Sequence, residues 1–252
     1  MPDAPAHTTD APAPTTGVSF RSDVTVELVR SSAQDADVLF AARVSTKGES
    51  SLDDVDADAS RSSGLINYLM RDRHGSPFEH NSMTFYVHAP IFVFREMMRH
   101  RIASYNEESG RYRELRPVFY VPGPQRKLVQ EGKPGHYRFV DGTEDQHRLV
   151  RAETRRVCEE AYASYRRMLA AGVAREVARI VLPLTIYSSM YVTVNARSLM
   201  NFLSLRTQRE DAAFPSYPQR EIEMVAEQME ARWAGLMPLT HAAFNKNGRV
   251  AP

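Results

Sequence analysis

The residues best equipped for chemistry stand together in Arg99-His100-Arg101-Ile102-Ala103-Ser104-Tyr105-Asn106-Glu107-Glu108-Ser109-Gly110-Arg111. Arg99, Arg101 and Arg111 offer planar guanidinium forks, Ser104 and Ser109 hydroxyls, Asn106 an amide, and Gly110 a backbone that a ligand can approach closely. Such a donor set suits an anion and a nucleobase. On composition alone the same stretch also reads as a solvated charged turn with internal Arg/Glu pairs, the commoner fate of a charge run. Nothing around Ser109 supplies the base and orienting acid that a nucleophilic serine needs, so it reads as a binding hydroxyl.

Other reactive groups are few. The single cysteine, Cys158, sits between Val157 and Glu159 in a helical stretch with no histidine or basic loop to lower its thiol, which argues against thiolate catalysis and rules out an internal disulfide. A reducing, cytoplasmic setting follows as the expectation. Histidines 74, 80, 88 and 100 match no common zinc spacing, and no metal site is expected.

The elements that must position these groups follow from periodicity. Met83, Phe85 and Val87 alternate with Thr84, Tyr86 and His88, predicting a half-buried strand over Ser82 to His88. Ala89-Pro90 stops it, and Ile91, Phe94 and Met98 recur at helical spacing, predicting a helix from Ile91 to Arg101 with Arg95 and Arg99 on one face. Ala103 to Gly110 has no period and reads as a loop. Further on, Val173 to Leu182 reads as a short helix cut by Pro183, Tyr187 to Val194 is β-rich, and Asn195 is a good N-cap for a helix to about Thr207.

Around that frame, Val24, Val26 and Leu28 form a strand pattern, Ala33 to Ser45 reads as helix, Ser50 to Ser63 as a mobile loop and Leu65 to Met70 as a short helix. Residues 122–146 read as a surface insertion, His147 to Ala171 as a long helix, and Pro218 to Gly235 as a final helix with Ile222, Val225, Ala226, Met229, Trp233 and Leu236 as its core stripe. Ala, Pro and Thr fill twelve of the first seventeen positions, predicting a disordered arm over residues 1–18 ahead of one domain over 19–245 and a tail over 246–252. The fold class expected is α+β, a mostly antiparallel or mixed central sheet flanked by helices.

Composition fits that class. The 252 residues are 42% hydrophobic and 25% charged, ordinary for a globular chain. A net charge of +1 excludes a uniformly basic nucleic-acid coat, and no apolar run approaches the roughly 20 residues that cross a bilayer. Four lysines against 28 arginines favour bidentate contacts to phosphate or carboxylate, though genome base composition can produce the same bias.

Order carries more than composition. Arg99-His100-Arg101, seven residues, then Ser109 resembles the signature of the flavin-dependent thymidylate synthases, the ThyX family. Ala42-Arg43-Val44-Ser45, His74-Gly75-Ser76-Pro77-Phe78-Glu79-His80, Ala178-Arg179-Ile180-Val181-Leu182-Pro183 and Thr193 to Phe202 resemble further blocks in family order, spanning about Ser19 to Ala243. The resemblance implies a homotetramer with shared active sites. It would bind FAD and convert dUMP to dTMP, with methylenetetrahydrofolate as carbon donor and NADPH as reductant.

By the same resemblance, Arg206 holds the uracil as charge develops on its ring. Glu96, Arg99, Glu107, Glu108, Ser109, Gly110, Arg111, Arg179 and Arg206 form the dUMP site, and Ser76, Arg99, His100, Arg101, Glu107, Asn195, Arg197 and Asn201 contact FAD. Asn195 and Arg197 open a helix, where free amides and the dipole favour negative charge. Many members have a histidine four residues after the Arg206 position; here Glu210 occupies it, and the passage to the next helix is longer. Two other classes use the same residues. One is a non-catalytic nucleotide- or RNA-binding protein, disfavoured by the near-neutral charge; the other is a degenerate flavin-binding member that has lost turnover.

Overall fold

The structure, a computed structural model, describes residues 17–54, 62–133 and 136–252. The arm expected at the N-terminus, up to residue 16, and the 55–61 part of the expected loop lie outside the described residues.

A four-stranded antiparallel sheet organises the chain. Strand β2 (Thr25–Ser31) pairs with β3 (Met83–Pro90), β3 with β8 (Tyr187–Val194), and β8 with β4 (Ser104–Glu107) at the edge. The alternation in β3 places Met83, Phe85 and Val87 on a buried face, joined by Val26, Met190, Val192 and Val194. Thr84, Tyr86, His88, Ser189, Tyr191 and Thr193 point the other way and stay partly accessible.

Helices cover the apolar face: α1 (Asp35–Lys47), α2 (Ser63–Arg71), α3 (Ile91–Met97), α6 (Ala196–Arg206), α7 (Arg220–Leu236) and α8 (Pro238–Lys246). The predicted stripe of α7 is core, with Ile222, Val225, Ala226, Met229 and Trp233 all buried and Leu236 packed beside them. A second cluster gathers Phe119, Cys158, Tyr162, Tyr165 and Ile186 where α4 (Glu144–Ala170) crosses the short parallel pair β1 (Ser19–Arg21) and β5 (Val118–Tyr120). Cys158 is buried there against Thr185 Oγ1 at 3.3 Å, and burial pushes its thiol up. It is not a nucleophile in waiting.

Four expectations need correction. Ala103 to Gly110 is not all loop, because Ser104 to Glu107 adds an edge strand to β8. The helix after β3 ends at Met97 rather than Arg101, so Arg99 lies past it and shares no helical face with Arg95. Ser50 to Asp54 is the end of a 3₁₀ helix that starts at Gly48. The helix over Pro218 to Gly235 is not the last. Pro238 begins α8, whose first turn is capped from α1: the buried Asp35 carboxylate accepts Leu239 N and Thr240 N at 2.9 Å and Thr240 Oγ1 at 2.6 Å. No local N-cap residue advertises it.

The insertion is likewise more ordered than a surface loop. It holds a hairpin, β6 (Val129–Lys133) with β7 (His136–Val140), and α4 already begins at Glu144 with a Thr143/Gln146 capping box. Glu221, 2% exposed, anchors it by accepting Arg126 Nε at 2.7 Å and Tyr120 Oη at 2.5 Å. Burial alone would raise that carboxyl, yet these two bonds leave it net lowered. Arg126→Ala strands the charge, and a loss on the order of 3 kcal/mol is expected from urea unfolding, with faster amide exchange across 129–140. Unchanged exchange there would show that the hairpin holds without this anchor.

Candidate active site

Two clusters of sequence-predicted residues form. The first joins α3 to α6. Arg206, the last residue of α6, donates from Nη1 to Glu96 Oε2 and from Nε to His100 Nε2, both at 3.0 Å. Burial first and the Arg206 charge second lower His100 to about 4, so near neutral pH it accepts this bond as the uncharged ring. The ring also stands edge-on to Phe202 at 4.9 Å. Burial raises Glu96, with Arg206 opposing.

The Arg99–Arg101 turn that follows α3 is held by Tyr105, a residue with no predicted role. Its hydroxyl reaches both Met97 O and His100 O at 2.8 Å. Pinned this way, the turn points Arg99 and Arg101 outward. Both are exposed, and neither has an ion pair among the described residues.

The second cluster lies at the end of β4. Glu107 pairs in register with Met190, so its carboxyl faces Ser188 and Arg179. Burial raises it, while Ser188 and Arg179 pull it down. The Ser188 hydroxyl is buried and has no hydrogen-bond partner of good geometry among the described residues, an orphan donor that sequence reasoning missed and that only the strand register discloses. Gly110 is buried; a Cβ there would stand 3.1 Å from Leu115 Cδ1 and 3.2 Å from Arg179 Cδ, so the bare backbone admits Arg179. Ser109 holds the turn, its hydroxyl accepting Arg111 N at 3.3 Å. Arg111 pairs with Glu176 at 2.8 Å. Glu108 turns to the opposite sheet face, where it meets Arg113 at 3.0 Å and lines a cavity of about 530 Å³ with Arg21, Tyr86, His88, Arg116 and Ser189. Its carboxylate nevertheless stays close enough to help raise Glu107.

The remaining residues assigned to FAD, Ser76, Asn195, Arg197 and Asn201, lie along α6 and in the turn before β3. Asn195 Oδ1 accepts Ser198 N at 2.8 Å, the predicted cap. Asn81 Oδ1 takes Ala196 N at 2.8 Å, so these two amides are already satisfied and are not free for an anion. Arg197 donates to Glu79 Oε1 at 2.5 Å and to Pro252 O at 2.6 Å, against Gly75. Ser76 and Asn201 are exposed. Glu210 is exposed, with no part in either cluster. Among the described residues no hydrogen bond or ion pair joins the Arg206 cluster to the Glu107 cluster.

Unpaired Arg99 and Arg101, the orphan Ser188 and a neutral His100 fit a phosphorylated, nucleobase-bearing ligand, and outward guanidinium forks fit the diphosphate of a dinucleotide. Comparison with known proteins agrees. Residues 27–239 match the Thy1 family, described as thymidylate synthase complementing protein. The flavin-dependent thymidylate synthase of Streptomyces coelicolor is 70% identical over 245 residues, covering 97% of this chain and 100% of that one. The protein of the same name from Tropheryma whipplei strain TW08/27 is 63% identical, covering 92% and 97%. Among solved structures, the UMP/dUMP methylase PolB of Streptomyces cacaoi bound with 5-Br dUMP superposes with a TM-score of 0.88 at 60% identity, covering 93% of this chain and 100% of that chain. Matches of this extent show that the chain belongs to the flavin-dependent thymidylate synthase family.

Proposed function

We propose that this chain methylates dUMP to dTMP reductively, with methylenetetrahydrofolate as carbon donor, NADPH as reductant and FAD bound by Ser76, Arg99, His100, Arg101, Glu107, Asn195, Arg197 and Asn201. Bound FAD supplies the electrons that convert the transferred one-carbon unit to a methyl group. The protein's own work is positional and electrostatic. Arg206, aimed by Glu96 and His100, stabilises negative charge as the uracil N3 proton is lost and C5 becomes nucleophilic. Arg99, Arg111 and Arg179 hold the phosphate and sugar, Gly110 and Ser109 shape the turn against them, and Glu107 with Ser188 offers a polar wall. Glu108 takes part through its backbone, since its side chain faces Arg113.

The observation that carries this reading is the fixed Arg206–Glu96–His100 cluster, a cation held against a neutral ring, in which Arg206 and Glu96 are residues the family resemblance assigns to dUMP. Purified protein given FAD, NADPH, methylenetetrahydrofolate and dUMP should yield dTMP, and no product would overturn the reading. UMP belongs in the same assay, because PolB has also been solved with 5-Br UMP.

A homotetramer with shared sites is part of this proposal. Each of four arginines in the site segments adjoins an exposed apolar residue: Arg101 beside Ile102 (72% exposed), Arg111 beside Tyr112 (79%), Arg179 beside Ile180 (74%) and Arg206 beside Leu205 (58%). These exposed apolar groups beside ligand-binding arginines support the reading, since a second subunit seated there would cover them. No helix among the described residues is long and apolar enough to cross a membrane, and a cytoplasmic location is proposed with the activity.

Gly75 tests the flavin end. A Cβ there would meet Arg197 Cζ and Nε at 2.6 Å and Pro252 O at 2.7 Å, so Gly75→Ala must displace Arg197. The expected result is protein that purifies with several-fold less flavin absorbance at comparable thermal stability. Full flavin occupancy in the variant would remove Arg197 from the cofactor site.

A further inference from the structure

Thr207 follows Arg206 and is 2% exposed, and every polar atom it has is taken. Its amide donates to Leu203 O at 3.0 Å and its hydroxyl donates to the same carbonyl at 2.7 Å. Its own carbonyl accepts Ser216 Oγ at 2.6 Å, and the hydroxyl oxygen accepts Arg249 Nη2 at 3.0 Å. A helix C-terminus ordinarily leaves its last carbonyls to water and frays. Here the last turn of α6 is clamped from outside the helix.

Arg249 does the clamping from an unusual backbone. It is 4% exposed at φ 56°, a left-handed conformation that side chains other than Asn, Asp and Gly seldom adopt. Glu230 holds it there through two bonds at 2.7 and 2.9 Å, and Asn245 adds a third at 2.5 Å. Gly248 before it accepts Ala213 N at 2.9 Å, tying in the 207–219 passage. Beyond it, Arg73 Nη1 donates to Val250 O and Ala251 O at 3.0 Å, and Pro252 O receives Arg197 Nε. The segment thus grips α6 at both ends, at Arg197 and at Thr207, about 15 Å apart at 1.5 Å per residue.

We propose that Gly248 to Pro252 is a positioning strap for the active site. Arg249 fixes Thr207 and hence the backbone from which Arg206 reaches the nucleotide, while Pro252 sets Arg197 at the flavin end. Thr207 and Arg249 are positioning residues that touch no ligand. The proposal rests on the reading of Arg206 as the uracil-holding cation.

The test is Thr207→Val, which keeps the shape and removes the hydroxyl, beside Thr207→Ser, which keeps the hydroxyl. Each is read by flavin content, thermal midpoint, dUMP titration of the flavin-loaded protein, and kcat and KM for dTMP formation. Misplacement by a fraction of an ångström should raise the KM and Kd for dUMP about tenfold in the valine variant, with flavin content unchanged and the serine variant within about threefold of the parent. A valine variant that melts earlier but keeps the parent's KM, Kd and kcat overturns the strap and leaves a merely structural contact. If the valine variant does not fold, Asn245→Ala removes one of the bonds that hold Arg249, and an unchanged KM there overturns the proposal equally. An unmutated protein that neither binds dUMP nor forms dTMP overturns the functional reading and the strap with it, whereas active parent with indistinguishable variants overturns the strap alone.

Discussion

Arg206→Ala should fold normally and lose dTMP formation by at least about a hundredfold, the scale on which removal of one preorganised charge-stabilising donor is felt. Arg206 is 22% exposed and Glu96 29%, so the pair lies in the half-wet regime where breaking it costs about 1 kcal/mol of stability. Catalysis depends on more than the charge, because Nη1 and Nε are both committed and fix the direction of the fork. Arg206→Lys keeps the charge without the fork and should recover only a small part of the rate. An independent readout checks the geometry. His100 is lowered to about 4 by burial and by Arg206, so removing the arginine should move its titration, followed by NMR, upward while burial still holds it below its ordinary value. Near-parental turnover in Arg206→Ala would remove the role assigned to this residue. An unmoved His100 would contradict the cluster itself.

Much of the site was legible because chemistry and order coincide in one segment. Arg99 to Arg111 announces donors for an anion, and Asn195 announces a helix start that the structure places at Ala196. Short periodic elements with one apolar face were equally legible, as in β3, where alternation fixes the buried side, while β8 was marked only by its β-rich residue types. What escaped is whatever depends on a partner far along the chain. Ser104 to Glu107 has no apolar alternation of its own, since an edge strand packs little; its hydrogen bonds to β8 make it a strand. The start of α8 is capped by Asp35, about 200 positions away, and only Pro238 in the first helical position marks it locally.

The charged residues show the same limit. Arg197 reads as a solvated arginine or an anion ligand, yet Glu79 and Pro252 O meet it from opposite directions in sequence. Ser188 reads as one more polar residue in a strand until the register places its hydroxyl near Glu107 without a partner. Glu108 shows the reverse. Its place in the signature suggests a substrate side chain, but the pleat turns it from Glu107 to the other face, where Arg113 takes it. Residue type and spacing thus locate the segment, while the pleat and the distant partners decide which side chains serve it.

Glu230 should make this chain acid-sensitive below about pH 4.5. The Glu230 side chain is 10% exposed and receives Arg249 at 2.7 and 2.9 Å and His241 Nε2 at 2.9 Å. Burial would raise the carboxyl, but the bonds from His241 and Arg249 outweigh it and bring Glu230 down to about 2. With the folded value below the ordinary 4.5, the stabilisation is fully present above about pH 5 and is lost as pH falls from about 4.5 to 2, a swing on the order of 3 kcal/mol. His100 adds an earlier decline. Its folded value of about 4 lies below the ordinary 6.5, so the folded state loses ground as pH falls between those two values. Urea midpoints at pH 7, 5 and 3.5 should therefore fall in two stages. Glu230→Gln should start lower at pH 7, because it leaves Arg249 buried and unpaired, and then lose the second stage. If parent and variant share the same slope below pH 4.5, Glu230 is not the acid-sensitive group. Because Arg249 also grips Thr207, removing the Glu230 charge by substitution loosens the clamp on the last turn of α6 as well as lowering stability. In the folded protein Glu230 keeps its charge down to about pH 2, so the KM for dUMP in the parent should show no Glu230 step between pH 7 and pH 4, whereas Glu230→Gln should already show a raised KM at pH 7.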